Sequence, residues 1–233
     1  MKPYQFLLFD ADGTLLDFDL CEEKALRDTL EHYNMDGSDE TVHAYHEFNA
    51  GLWERFNRGE VDRAFLLRDR FQQLIDYLGR DDDPAEVNRY YMEQLSCHAD
   101  LLEESWEICN RLKEKYQLYI ITNGASFTQH GRFAICPLTP LFQKIFISED
   151  MGVQKPHKEY FDAVAADIEG FDPEKALVIG DSLSSDILGA NNAGLDCVWY
   201  NPAALPLKEG VRCDYEIRRL RQLLAILGEE EKI

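Results

Sequence analysis

Three short runs along the chain are apolar at every position and then stop abruptly in polar residues. Phe6-Leu7-Leu8-Phe9, Leu118-Tyr119-Ile120-Ile121 and Ala176-Leu177-Val178-Ile179-Gly180 lack the alternation of a strand with one wet face. They read as strands buried on both faces, as in a parallel sheet. Further strands are expected over 144–148 and 197–200. Helices are expected over 105–116, 127–134, 157–167 and 184–193, the last stopped by Gly194 as a C-cap. A tail helix over 217–227 precedes a frayed acidic end. Strands alternating with helices imply right-handed crossovers and an α/β fold with a three-layer, doubly wound parallel sheet. Residues 133–142, with Cys136, Pro137 and Pro140, are less regular than the rest.

About a hundred residues separate the first two strands, far more than one crossover needs, so an inserted module is implied. Its pattern is helical. Phe48, Leu52 and Phe56 recur at spacing four, and Phe65, Leu66, Phe71, Leu74, Ile75 and Leu78 form another stripe. Gly37, Gly59, Gly79 and Pro84 break the pattern. The expected division is a core of residues 1–16 and 97–233 around an insertion of residues 17–96, with the aromatic stripes as the insertion's own packing.

The 233 residues suffice for one large core plus a smaller module. A net charge of −20, from 24 basic and 44 acidic residues, argues against a nucleic-acid polymer or an anionic membrane as partner. The six cysteines show no C-x-x-C pair or zinc-like spacing, and no signal-peptide pattern or long apolar run is present. Reduced thiols and a cytoplasmic location are the expectation. His43 and His46, one turn apart with no acidic cluster nearby in sequence, read as surface or interdomain residues.

The chemistry concentrates where the apolar runs end. Asp10 and Asp12 follow the first strand, and like charges in a partly dry cleft repel unless a cation lies between them. A bound metal is the simplest remedy; a D-x-D-G turn closing a strand is the ordinary alternative. The second strand ends in Thr122-Asn123-Gly124, whose hydroxyl and exposed N–H groups suit an anion. Lys155 stands directly before Pro156, which is expected to open a helix and hold the lysine extended. A third acid, Asp181, ends another strand, followed by Ser182 and Asp186. Each feature alone has a turn, cap or surface explanation. Together they fall at the carboxyl ends of strands in one parallel sheet, where open α/β sheets bind ligands.

In this order the four segments Asp10-Ala11-Asp12-Gly13-Thr14, Thr122-Asn123-Gly124, Lys155-Pro156 and Gly180-Asp181 with Asp186 resemble the motifs of the haloacid dehalogenase-like hydrolases, most of them phosphatases. Phe9 to Leu15, Ile121 to Gly124, Ile147 to Pro156 and Asp186 to Gly194 are similar to a subgroup of 5′-nucleotidases for pyrimidine and noncanonical nucleoside monophosphates; sugar-phosphate and phosphoglycolate phosphatases share much of this wording. The resemblance implies Asp10 as nucleophile forming an aspartyl-phosphate and Asp12 as general acid, then base. It implies Mg²⁺ held by Asp10, Asp181 and the Asp12 carbonyl, with phosphate bound by Thr122, Asn123, Gly124 and Lys155. Asp186 would orient Lys155 or a metal-bound water, direct ligation remaining open. An acid at position 12 favours a phosphatase over a dehalogenase, since departing halide needs no proton.

The insertion resembles the family's helical cap, with hinges near 16–18 and 96–100. Asn49, Trp53 and Arg58, which combine a stacking face with hydrogen-bonding groups, are the candidates for substrate selectivity. The expected partner is a small phosphorylated metabolite, a nucleoside monophosphate first, and the expected state a monomer or weak homodimer. Intact motif residues argue against the remaining alternative, a catalytically silent binding domain on the same fold.

Overall fold

The computed structural model describes residues 2–229. The elements run β1 (Phe6–Phe9), α1 (Phe18–His32), α2 (Asp39–Asn57), α3 (Arg63–Tyr77), α4 (Pro84–Leu95), α5 (Ser105–Leu112), β2 (Gln117–Thr122), α6 (Ser126–Ile135), β3 (Lys144–Ile147), α7 (Ser148–Met151), α8 (Lys158–Asp167), β4 (Ala176–Gly180), α9 (Leu188–Ala193), β5 (Asp196–Tyr200), β6 (Tyr215–Ile217) and α10 (Leu223–Leu227). All six strands are parallel, in the order β3-β2-β1-β4-β5-β6. The chain leaves β1 toward one edge through β2 and β3, then returns to its other side through β4. The crevice at the ends of β1, β2 and β4 is therefore the topological switch point.

Side chains of β1 alternate between two cores. Leu7 and Phe9 pack with Ile108, Leu112 and Ile120 beneath α5, whereas Phe6 and Leu8 pack with Tyr160, Phe161 and Ile187 beneath α8. Both faces are covered, which is why the run is apolar throughout. In register, Phe9 lies beside Ile120 and Ile179. Asp10 and the residues closing β2 and β4 consequently emerge at one level.

Helices α1 to α4 form their own packed unit around Leu26, Tyr45, Phe71, Leu74 and Tyr91. Each starts at a side-chain cap: Asp17, Ser38, Asp62 and Asp83 accept from backbone N–H groups of the first turn, and Pro84 opens α4. The unit joins the sheet through two adjacent strips of chain. Leu16 pairs antiparallel with Leu101, the Leu102 N–H donates to the Leu15 carbonyl at 3.0 Å and the Asp17 N–H to the Asp100 carbonyl at 2.9 Å.

Several boundaries differ from the periodicity reading. Pro156 does not open a helix: it follows Lys155 in a cis peptide bond, and α8 starts at Lys158 after the extended His157. The expected tail helix gives way to β6, a three-residue edge strand too short for any alternation signal, and to the brief α10. A π-turn over Leu183–Ile187 precedes α9. The irregular 133–142 segment contains a 3₁₀ turn at Thr139–Leu141. The acidic end beyond residue 229 lies outside the described residues. No helix among the described residues is long and apolar enough to cross a membrane, and none of the six cysteines is in a disulfide.

Leu8 is fully buried in the central strand. Leu8→Ala should lower stability by about 2–5 kcal/mol, read as a fall in the urea midpoint at unchanged slope. A loss below about 1 kcal/mol would contradict the close packing of β1 between two helical layers.

Candidate active site

The Asp10 N–H closes β1 by donating to the Ile179 carbonyl at 2.8 Å, and its side chain turns into the crevice. One carboxylate oxygen, Oδ1, accepts from Lys155 Nζ at 2.5 Å. The same ammonium donates to Asp186 Oδ1 at 2.7 Å and to the Ile121 carbonyl at 2.9 Å, filling its three-donor capacity. Lys155 is 1 % exposed. Its backbone is gripped from both sides by Asn123, whose Oδ1 accepts the Lys155 N–H at 3.0 Å and whose Nδ2 donates to the Lys155 carbonyl at 2.8 Å. The Asn123 side chain thus serves the lysine, leaving only its main chain for an anion.

Asp186 is fully buried. Its second oxygen accepts the Ser182 N–H at 3.0 Å, so both oxygens are engaged by protein. The absence of a side chain at Gly180 makes room for it, since a Cβ there would lie 2.4 Å from the Asp186 carboxyl. Asp181 is held through Thr14, whose hydroxyl donates to Oδ1 at 3.3 Å. Its backbone carbonyl accepts from the Trp199 indole at 2.8 Å. Burial first, and then Asp186, raise the Asp10 carboxyl well above its usual value and push Asp181 up to about 7. Burial opposes the charge on Lys155, yet Asp10 and Asp186 outweigh it and hold the lysine above its usual value.

Asp12 stands apart from this charge cluster. Its Oδ2 accepts from Gln129 Nε2 at 2.8 Å, and Oδ1 from Arg132 Nη1 at 2.5 Å. Gln129 also donates to Thr122 Oγ1 at 2.8 Å. Neither Gln129 nor Arg132 stands out in sequence; both lie on α6, three residues apart and thus on one face. The spacing from Thr122 is the only signal that could have suggested them. Gly124 departs from its expected role: its N–H donates to Thr122 Oγ1 at 3.0 Å, and a Cβ would lie 2.3 Å from the Gln129 amide. It admits Gln129 to the site and does not offer its N–H to an anion.

These groups form the floor of a cavity of about 780 Å³ between the sheet edge and the helical unit. Asn49 and Trp53 line it, as do Glu22 and His46. Asn49 is already committed, donating to Glu22 Oε1 at 2.5 Å, and His46 Nδ1 lies 2.5 Å from the other Glu22 oxygen. That contact raises the His46 pKa above its usual value. Arg58 is not part of the cavity wall. It is exposed on the C-cap of α2, where Glu60 and Glu54 hold its guanidinium at 2.5 and 3.3 Å. Arg63 instead crosses the cleft, donating to the Asn123 carbonyl at 2.9 Å and to Ser148 Oγ at 3.1 Å.

The family model for haloacid dehalogenase-like hydrolases matches residues 4–194, a span containing every strand-end group above. The chain is a haloacid dehalogenase-like hydrolase. It is 40% identical over 233 residues to the HAD-hydrolase YfnB of Bacillus subtilis, covering 100% of this chain and 99% of that one. The crystal structure of YfnB, described as bound to magnesium and revealing interdomain movement, superimposes with a TM-score of 0.94 over 97% of this chain and 99% of that chain. Identity is 36% to the pyrimidine 5′-nucleotidase PynA of Streptococcus pneumoniae, over 99% of this chain and 98% of that one. It is 29% to the pyrimidine 5′-nucleotidase YjjG of Escherichia coli, over 96% and 98%.

In this haloacid dehalogenase-like hydrolase, ligand oxygens of Asp10, Asp181 and Asp186 all lie within 4.8 Å of one another. Asp186 spends both oxygens on Lys155 and Ser182, whereas Asp10 Oδ2 and Asp181 Oδ2 accept no hydrogen bond among the described residues. Oxygen donors crowded in this way fit a hard divalent cation, which Asp10 and Asp181 would hold through their open oxygens. Mg²⁺ should therefore raise the thermal midpoint relative to EDTA, by about 2–4 °C per kcal/mol of binding energy for a chain of this size. Asp181→Asn should abolish that increment; a variant that keeps it would remove Asp181 from the ligand set.

Proposed function

We propose that this phosphoric monoester hydrolase is a Mg²⁺-dependent 5′-nucleotidase that acts on pyrimidine nucleoside monophosphates through an aspartyl-phosphate. The chemistry rests on one arrangement above all: a buried ammonium between Asp10 and Asp186, with the Asp12 carboxylate two residues on. The substrate class is supported by the full-length similarity to two proteins named as pyrimidine 5′-nucleotidases.

In this reading a carboxylate oxygen of Asp10 attacks phosphorus, and the P–O bond to the nucleoside breaks. Asp12 gives its proton to the departing 5′ oxygen, then as carboxylate takes one from the water that cleaves the acyl phosphate. Both acceptor sites of the Thr122 hydroxyl are occupied, by Gly124 N–H and Gln129 Nε2. Its own proton is free to donate to a phosphoryl oxygen, alongside the Asn123 N–H. Lys155 balances charge spreading over those oxygens. Mg²⁺, when bound by Asp10, Asp181 and the Asp12 carbonyl, supplies the positive charge that lets a carboxylate and a phosphate dianion approach each other.

Residues 17–96 act as a cap that excludes water and contacts the leaving group. A cavity of about 780 Å³ is within the range of small-molecule sites, and Trp53 offers a face on which a base stacks.

Asp10→Asn should lower turnover by about 10³-fold or more with the fold retained, measured as phosphate release in Mg²⁺. The panel should span UMP, dUMP, TMP, AMP, ribose 5-phosphate and phosphoglycolate. Preference for the pyrimidine nucleotides supports the reading; preference for sugar phosphates or phosphoglycolate overturns the substrate alone, and no metal-dependent release overturns the chemistry. Trp53→Ala should shift the ratio of kcat/KM between nucleotides and ribose 5-phosphate by about tenfold or more, since stacking on an aromatic ring is worth about 1–3 kcal/mol per base. An unchanged ratio would remove Trp53 from base recognition.

A further inference from the structure

Asp12 is held from a single helix, and one of its two partners reaches beyond the site. Arg132 on α6 is 1 % exposed. While its Nη1 donates to Asp12 Oδ1 at 2.5 Å, its Nε donates to the His98 carbonyl at 2.9 Å. His98 lies in the strip through which the chain returns from α4 to the sheet. One planar guanidinium therefore joins the return strip to the carboxylate. Because the guanidinium is rigid, a displacement of the His98 carbonyl turns the plane and carries Nη1 with it.

Independent packing ties the same strip to α6. At Gly131, next to the arginine, a Cβ would fall 2.6 Å from Ser96 Cβ and 3.0 Å from the Ser96 carbonyl. The helix meets Ser96 of the strip with no side chain of its own at this position. Five residues beyond Ser96, the pairing of Leu16 with Leu101 fixes the strip to the outgoing chain. The Nη2 of Arg132 is buried with no hydrogen-bond partner among the described residues.

We propose that Arg132 is a positioning residue that sets the Asp12 carboxylate and conveys to it the placement of the cap's return strip. The inference rests on the proposed acid/base role of Asp12. Protonation of the leaving group is then most effective when the strip, and with it the cap, sits as it does here.

The test compares kcat/KM in saturating Mg²⁺ for two esters: the best alkyl phosphate of the panel above, whose alkoxide needs a proton, and p-nitrophenyl phosphate, whose phenolate does not. This parameter covers only steps up to departure of the leaving group. Since general acid catalysis contributes about 10²–10⁴-fold, Arg132→Gln should lower the alkyl-to-aryl ratio by at least about tenfold. Arg132→Lys, which can still pair with Asp12, should recover part of that ratio. Gly131→Ala displaces the strip while touching neither Asp12 nor substrate, and should move the ratio in the same direction by about two- to fivefold.

Equal losses on both esters, or none, would overturn the inference while leaving the reading of the site intact. A ratio unmoved by Gly131→Ala would overturn the link to the strip. Should Arg132→Gln fail to fold, the ratio in Arg132→Lys and Gly131→Ala decides in the same terms. Absence of metal-dependent hydrolysis of either ester by the unaltered enzyme would overturn the reading of the site, and this inference with it.

Discussion

The site depends on a single buried ammonium. Three carboxylates with oxygens within 4.8 Å of one another, in a chain of net charge −20, are a destabilising arrangement, and Lys155 is the fixed charge that offsets it. Removing a lysine from water costs several kcal/mol unless each of its protons finds an acceptor. Asp10, Asp186 and the Ile121 carbonyl provide those acceptors. Much of the surrounding architecture secures this geometry: Asn123 fixes the lysine's main chain, Gly180 makes room for Asp186, and Ser182 occupies the oxygen that Lys155 leaves over. The register that puts Phe9 level with Ile120 and Ile179 brings these groups together without distorting any strand.

The fold and the floor of the site were legible in sequence for one physical reason. A strand covered on both faces has no freedom in its polarity, so Phe6 to Phe9, Leu118 to Ile121 and Ala176 to Gly180 declare both themselves and their ends. Asp10, Asp12, Thr122 and Asp181 sit at or just beyond such ends, whereas Lys155 follows β3 and α7, and all five share one cavity. What was not legible depends on contacts between distant elements. Gln129 and Arg132 are ordinary polar residues of an amphipathic helix until α6 is laid against Asp12. Arg58 looked like a recognition residue by composition, but its position at the end of α2 turns it toward Glu54 and Glu60. The Asn-Gly turn suggested two anion-binding N–H groups; the Thr122 hydroxyl takes one of them. The edge strand β6 exists only by pairing with β5, and three residues carry no period.

Neither the acidic surface nor the carboxylate-rich floor draws an anion in by long-range charge. Lys155 is too deeply buried to attract a phosphate from a distance, and its charge is shared with two aspartates. In the proposed function, local donors, the Thr122 hydroxyl and the Asn123 N–H, favour the anion once it has arrived. Arg63, bridging from α3 to Asn123 and Ser148, places a further guanidinium directly above that turn.

The pairing of Leu16 with Leu101 carries a consequence for how such a protein diversifies. The outgoing and returning chains stand side by side, so the sheet experiences the insertion as a loop whose ends are already closed. Any module whose own termini lie a strand spacing apart can occupy that position without altering the register of β1, β2 and β4. The covalent joint is thereby confined to this bridge, while a graft between relatives must also keep the contacts that Arg63 and Ser96 make across the cleft.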